Sequence, residues 1–333
     1  MTVAVPSQHI EPSRAGIERP ARAVVSLIVP VHNEEEAIDG FLAELARHEA
    51  AISARGVTLE VVFVNDGSLD GTLARLIGAT RRDARIRVID LSRNFGKESA
   101  ITAGLDNCRG DAAIPIDVDL QDPPKVIPLL IDKWREGFDV VLAKRADRSS
   151  DTLLKQRSAS MFYRVHNWMA AQKIPPNVGD FRLVDREVIE ALKTLPERRR
   201  FMKGLFAWVG FPTATVDYVR DQRIAGRTKF SGWKLWNFAL EGITSFSTVP
   251  LEIWSYVGAL ISLSSFVYGL FIAGRTLIFG VDVPGYASLL VSVLFLGGVQ
   301  ILGIGILGQY LGRVYSEIKQ RPIYIVRRNY GSN

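Results

Sequence analysis

Asp117 and Asp119 stand two residues apart at the end of a short apolar run. Carboxylates so spaced can share one hard cation such as Mg2+ or Mn2+. That cation can bridge a diphosphate and stabilise charge developing on a departing group. Alone, the pair also suits a plain turn, where Asp is common. It does not stand alone. Polar residues also crowd three other stretches: Pro30-Val31-His32-Asn33-Glu34-Glu35, Asn65-Asp66-Gly67-Ser68-Leu69-Asp70-Gly71-Thr72 and Ser92-Arg93-Asn94-Phe95-Gly96-Lys97. No Gly-x-Gly-x-x-Gly follows the first of the apolar runs and no Gly-x-x-x-x-Gly-Lys-Ser/Thr occurs, so phosphates are held neither by a dinucleotide fingerprint nor by a P-loop. The histidines His9, His32, His48 and His166 are scattered without metal-ligand spacing.

The segments that must position these groups alternate in period. Short runs rich in β-branched residues at 24–29, 59–64, 86–90, 112–116 and 139–143 predict strands. Helix-period stretches fall between them, near 37–54, 73–80, 98–107 and 124–134. Pro115 weakens the fourth strand. Repeated βα units predict an α/β domain with a mainly parallel sheet and helices on both faces. In such sheets ligands lie outside the carboxyl ends of the strands. Four consecutive strands deliver polar residues to that edge, which marks a site.

Beyond this domain the charge pattern changes. Charged residues are dense up to Lys234 and nearly vanish over 251–312. The stretches 253–274 and 283–312 are long enough to cross about 30 Å of hydrocarbon, which takes roughly 20 helical residues. They predict a transmembrane hairpin with spans near 253–279 and 285–311. Arg220, Arg223, Arg227, Lys229 and Lys234 precede it, and Arg313, Lys319, Arg321, Arg327 and Arg328 follow it. The positive-inside rule then assigns both ends, and the large domain, to the cytoplasm. Trp233, Trp236, Leu240 and Ile243 share one helical face in the segment 230–249, as in an amphipathic helix at a headgroup layer or in a core helix. Gly308 and Gly312 form a small-residue pair suited to close helix packing, including packing between subunits. The remaining divisions are a disordered tail at 1–22 without the apolar core of a signal peptide, the α/β domain at 23–229, the hairpin at 250–312 and a tail at 313–333. A net charge of +6 points to an anionic partner, membrane lipid or phosphorylated substrate, rather than to nucleic acid, for which no run of five basic residues exists. Cys108 is the only cysteine, so no intrachain disulfide forms.

Taken together, these stretches, with Gly179-Asp180-Phe181-Arg182-Leu183 and Gly226-Arg227-Thr228-Lys229-Phe230, resemble the family-2 glycosyltransferases of GT-A fold. Within that family the resemblance is to polyprenyl-phosphate glycosyltransferases, the bactoprenol glucosyltransferase and dolichol-phosphate mannose synthase group. It implies an inverting transfer of a hexose from a nucleotide sugar to a polyprenyl (undecaprenyl) phosphate at the inner face of a bacterial cytoplasmic membrane. Pro30, Asn33, Glu34 and Lys97 would line the nucleotide pocket, and Asp66 would meet the base. Asp117 and Asp119, assisted by Gln121, would hold Mg2+ or Mn2+. Asp180 would stand near sugar and acceptor, Arg145 and Arg157 would grip the acceptor phosphate, and Arg223, Arg227 and Lys229 would close over the diphosphate. Assembly as a homo-oligomer, a tetramer, is also implied. UDP-glucose is the first donor, with mannose, galactose or an aminoarabinose derivative behind it. A processive polysaccharide synthase is disfavoured by the lack of a QxxRW-type motif. A non-catalytic nucleotide-sugar-binding protein is the remaining alternative, against which the Asp117, Asp119 and Asp180 set argues.

Overall fold

The computed structural model describes residues 19–145, 178–198, 200–218, 249–279 and 285–331. Arg157, Arg223, Arg227 and Lys229 lie outside these, as do 1–18 and all but the last residue of the expected amphipathic segment. The elements are β1 (Ala23–Val31), α1 (Ile38–Ser53), β2 (Val57–Asn65), α2 (Thr72–Arg82), β3 (Ile86–Leu91), α3 (Lys97–Asn107), β4 (Ala112–Pro115), α4 (Ile127–Arg135), β5 (Val140–Arg145), β6 (Val178–Asp185), α5 (Arg186–Thr194), α6 (Met202–Trp208), β7 (Thr213–Tyr218), α7 (Val249–Phe279), α8 (Tyr286–Ile318) and β8 (Val326–Tyr330).

The strands form one eight-stranded sheet in the order β7-β5-β6-β4-β1-β2-β3-β8. Its centre is parallel: β1 pairs in parallel with both β2 and β4, and β2 with β3. Both faces are covered, so the central strands are apolar almost throughout. Val25, Leu27, Val29, Val61 and Phe63 pack with Phe41 and Trp134 on one face, while Ile28, Val62 and Val64 meet Ile101 and Ile189 on the other. The fold is thus the α/β, GT-A-like arrangement expected, with one refinement. The strand β6 runs antiparallel to both β4 and β5. Its first residues, Val178 to Asp180, therefore arrive at the edge where β1 to β4 end. The same reversal brings the end of β5 there, and β7, parallel to β5, places Tyr218 opposite Arg145.

Two boundaries move. The tail expected through residue 22 is anchored from Arg19, whose guanidinium meets Asp139 at 2.6 Å and Asp185 at 2.5 Å and lies over the Trp134 ring. The segment 313–333, expected as a tail, continues α8 to Ile318 and then builds β8, which pairs antiparallel with β3. Glu317 accepts both contacts from the Arg198 N–H, at 2.9 and 3.1 Å. The Tyr324 hydroxyl donates to Asp106 at 2.9 Å. These contacts fasten the base of α8 and the segment after it to the α/β domain.

The two terminal helices, of 31 and 33 residues, are long and apolar enough to cross a membrane at Leu251–Phe279 and Phe295–Ile318. Large side chains such as Leu260, Phe266, Leu277 and Phe295 stand exposed along them, a surface suited to lipid rather than water. Within the hairpin the close approach is at Gly303, where an added Cβ would fall 2.0 Å from Trp254 Nε1. Gly308 and Gly312 face open space, so any packing they serve is with something other than α7. Gly303→Leu is expected to pry α7 and α8 apart, at a cost of about 1–3 kcal/mol for overpacking. A lowered unfolding midpoint in detergent, with Gly308→Leu unchanged when monomeric, is the outcome to measure.

Candidate active site

The edge is built by loops that hold one another. Asn33 takes a left-handed conformation (φ 54°), its side-chain oxygen accepts from Leu69 N at 2.8 Å and its own N–H donates to Ser68 Oγ at 3.0 Å. The Glu34 N–H donates to Thr72 Oγ1 at 3.0 Å, and the Glu35 carboxylate accepts from Gly71 N at 3.1 Å. The stretches after β1 and β2 are thereby stitched into one wall. Asp66, almost fully buried, organises the next loop: Oδ1 accepts from Phe95 N at 2.7 Å and Oδ2 from Gly96 N at 2.9 Å. Gly67 is obligatory beside it, with φ 63° and a virtual Cβ only 2.4 Å from the backbone of Arg93 and Asn94. Asp66 thus spends one lone pair of each oxygen on the loop 92–97, and the others are what a ligand could meet.

That loop delivers Lys97, the first residue of α3, to the centre of the edge. Its ammonium contacts Asp117 at 2.6 Å and Asp180 at 3.1 Å. Asp117 comes from the end of β4 and Asp180 from the start of β6, so the antiparallel strand creates this constellation. Pro30, Lys97, Ile101, Asp117, Asp122 and Asp180 line a small cleft there. Asp180 Oδ1 is buried and has no hydrogen-bond partner among the described residues. Asp119 Oδ1 accepts from Gln121 N at 3.1 Å, and Leu120 between them is left-handed (φ 59°), a strained turn of the kind found at functional sites. Arg145 reaches the same place: a Cβ on Gly179 would lie 3.6 Å from Arg145 Nη2.

The electrostatics follow from the geometry. Burial works against the charged form of Asp180, but Lys97, Lys203 and Arg182 outweigh it and hold its pKa down to about 2. Burial would lower the Lys97 pKa too, yet Asp117 and Asp180 push it well above its ordinary value. Glu98 goes the other way. Burial and then the charge of Asp180 raise it to about 7, although Met202 N donates to it at 3.2 Å.

The described structure therefore brings together Pro30, Lys97, Asp117, Asp180 and Arg145, with Asp119 and Gln121 on the adjoining turn. Asn33, Glu34 and Asp66 hold the walls. Sequence reasoning missed Glu98, Tyr218, Arg182 and the role of Asp122. Arg182 is buried, donates to Gly179 O at 2.7 Å and lies over the Phe206 ring, so it braces the strand carrying Asp180. Only the position of Glu98 beside Lys97, on a helix opening at the site, could have signalled it.

Residues 26–193 match the family described as Glycosyl transferase family 2. The chain belongs to that family. This glycosyltransferase is 54% identical over 309 residues to the SfII prophage-derived bactoprenol glucosyl transferase of Shigella flexneri, covering 93% of this chain and 99% of that one. It is 55% identical over 304 residues to the prophage bactoprenol glucosyl transferase homolog of Escherichia coli K12, covering 91% and 98%. A glycosyltransferase of Bacillus subtilis, YkcC, is 42% identical over 92% of this chain and 94% of its own length.

The raised Glu98 carboxyl makes a prediction about pH. Its folded value of about 7 exceeds the ordinary 4.5. Between these the folded protein keeps a proton that the unfolded chain releases, so stability falls as pH rises, by at most about 1.4 kcal/mol per pH unit. Unfolding midpoints of the intact protein in detergent should decline from pH 5 to 7, and Glu98→Gln should flatten that slope.

Proposed function

We propose that this glycosyltransferase moves glucose from UDP-glucose onto bactoprenol (undecaprenyl) phosphate at the cytoplasmic surface of a bacterial membrane. The observation that carries the reading is its similarity to bactoprenol glucosyl transferases along nearly the whole of both chains, membrane helices included. The topology supports the location. The chain leaves the sheet at Tyr218 and returns at Val326, on opposite borders of the sheet but both at the edge that carries Asp117 and Asp180. Two crossings bring it back to the side from which it left. The catalytic edge is therefore the one turned toward the lipid, and the basic residues flanking the hairpin favour the cytoplasmic side.

In the reaction an acceptor phosphate oxygen bonds to the anomeric carbon as the bond from that carbon to the UDP oxygen breaks, inverting the centre. A phosphate monoester, with a second pKa near 6, is largely dianionic at pH 7 and needs no strong base. Asp180, held ionised at about 2, is a poor proton acceptor. Its role is to orient the sugar and to stabilise positive charge at the anomeric carbon. Lys97 holds that carboxylate in place. Arg145, with Arg157, would receive the acceptor phosphate through charge-assisted hydrogen bonds. Arg223, Arg227 and Lys229 would neutralise the donor diphosphate.

A divalent cation fits the residues present. Asp117 and Asp119 offer hard oxygen ligands, the Lys97 ammonium already stands against Asp117, and Asp180 Oδ1 is buried without a hydrogen-bond partner among the described residues. Mg2+ or Mn2+ bound by one or two carboxylates and substrate phosphates is ordinary coordination. Asp117 and Asp119, with Gln121, would hold it, and when bound it supplies positive charge to the leaving diphosphate.

The test is the purified full chain with undecaprenyl phosphate, Mg2+ or Mn2+ and a panel of nucleotide sugars. UDP-glucose should give a lipid-linked glucose, and Asp119→Ala or chelation should cut the rate by about 100-fold or more. Silence of the wild type with every donor would sink the reading. Arg145→Ala should raise the apparent KM for lipid phosphate by about 10-fold or more, leaving that for the donor nearly unchanged. A shift confined to the donor KM would refute the acceptor assignment.

A further inference from the structure

Between the turn that carries Asp119 and the guanidinium of Arg145 lies a side chain with no part in the scheme above. Tyr218 ends β7, directly opposite Arg145 at the end of β5. Its hydroxyl donates to Asp122 Oδ1 at 2.5 Å and accepts from Arg145 Nε at 3.4 Å. Asp122 closes the turn 117–122 and is itself buried. The Tyr218 ring is also buried, and Phe181, the neighbour of Asp180, meets it edge-on at 5.9 Å and 84°.

We infer that Asp122, Tyr218 and Arg145 form a positioning chain that sets the acceptor-phosphate grip by the conformation of the donor-side turn. The inference rests on the reading of Arg145 as an acceptor-phosphate residue and adds to it what aims that residue. Three observations carry it. A hydroxyl that donates to a carboxylate is polarised into a better acceptor, so Asp122 strengthens the contact to Arg145 Nε. Burial and the charge of Asp122 push the Tyr218 pKa up, so the hydroxyl keeps its proton across the working range. With Nε engaged, the guanidinium is held in one plane and its Nη2 lies over Gly179, where the absence of a side chain leaves it room. An Arg side chain otherwise samples many rotamers, and fixing it in advance removes an ordering cost from phosphate binding. Because Asp122 shares its turn with Asp117 and Asp119, a donor that orders the turn also orders the grip on the second substrate.

Tyr218→Phe keeps the ring and the Phe181 contact and deletes the hydroxyl. In the full-length enzyme with UDP-glucose and undecaprenyl phosphate, it is expected to raise the apparent acceptor KM about five-fold, with the donor KM and the unfolding midpoint nearly unchanged. Arg145→Ala combined with Tyr218→Phe should be no worse for the acceptor than Arg145→Ala alone, since the hydroxyl acts through the guanidinium. If Arg145→Ala raises the acceptor KM while Tyr218→Phe does not, or if the two effects multiply, the positioning chain is overturned and the acceptor reading stands. If Arg145→Ala leaves the acceptor KM unchanged, that reading fails and the chain fails with it. Should Tyr218→Phe fold poorly, Tyr218→Met removes the hydroxyl while keeping a buried apolar side chain clear of the donor-side turn, and the same split between acceptor and donor KM is required.

Discussion

The ammonium of Lys97 lies between two carboxylates that reach it along opposed strands, Asp117 from the end of β4 and Asp180 from the start of β6. Two anions this close, both partly withdrawn from water, repel each other unless a cation stands between them. Much of the domain's architecture serves to put that cation there. Asp66 shapes the loop that leads into α3, Gly67 lets that loop approach, and Arg182 braces the strand that brings Asp180 in. The arrangement holds the pKa of Asp180 down, while burial and then the charge of Asp180 raise that of Glu98, next to Lys97. Two neighbouring acids are thus driven apart in pKa, one by the cations around it and the other by burial, a pattern typical of sites that bind and stabilise charge.

Much of this was legible in the sequence because the central strands are covered on both faces. Such strands must be continuously apolar, and 24–29 and 59–64 announce themselves. The motifs at their ends were legible as a site for the same topological reason. The later strands were hidden by their chemistry. In β6, Arg182 and Asp185 are buried but paired, so the segment does not read as core. The polar residues of β7 suit its place at the sheet border, and β8 is Val-Arg-Arg-Asn-Tyr, a strand whose identity comes from its partner β3 and not from its own apolar pattern. Tertiary pairing decides such segments.

The same limit applied to side chains. Asn33 and Asp66 carry motif positions, and the structure gives them work in holding loops together. Tyr218 carries no motif, and its place beside Arg145 follows from β5 and β7 running parallel, which no local pattern specifies. The glycines of α8 offered many close-packing positions, yet only the geometry distinguishes Gly303, which receives Trp254, from Gly308 and Gly312, which do not.

The order of the chain gives β8 a further meaning. It lies beyond both apolar helices, so during synthesis the ribosome emits it after the hairpin. Until then β3 carries an open edge of unpaired amides and carbonyls, a template for unwanted pairing with a neighbouring chain. Closing the sheet therefore waits until both apolar helices have left the ribosome. A chain that stops before Val326 has the motifs that end β1 to β4 but an unsealed sheet border.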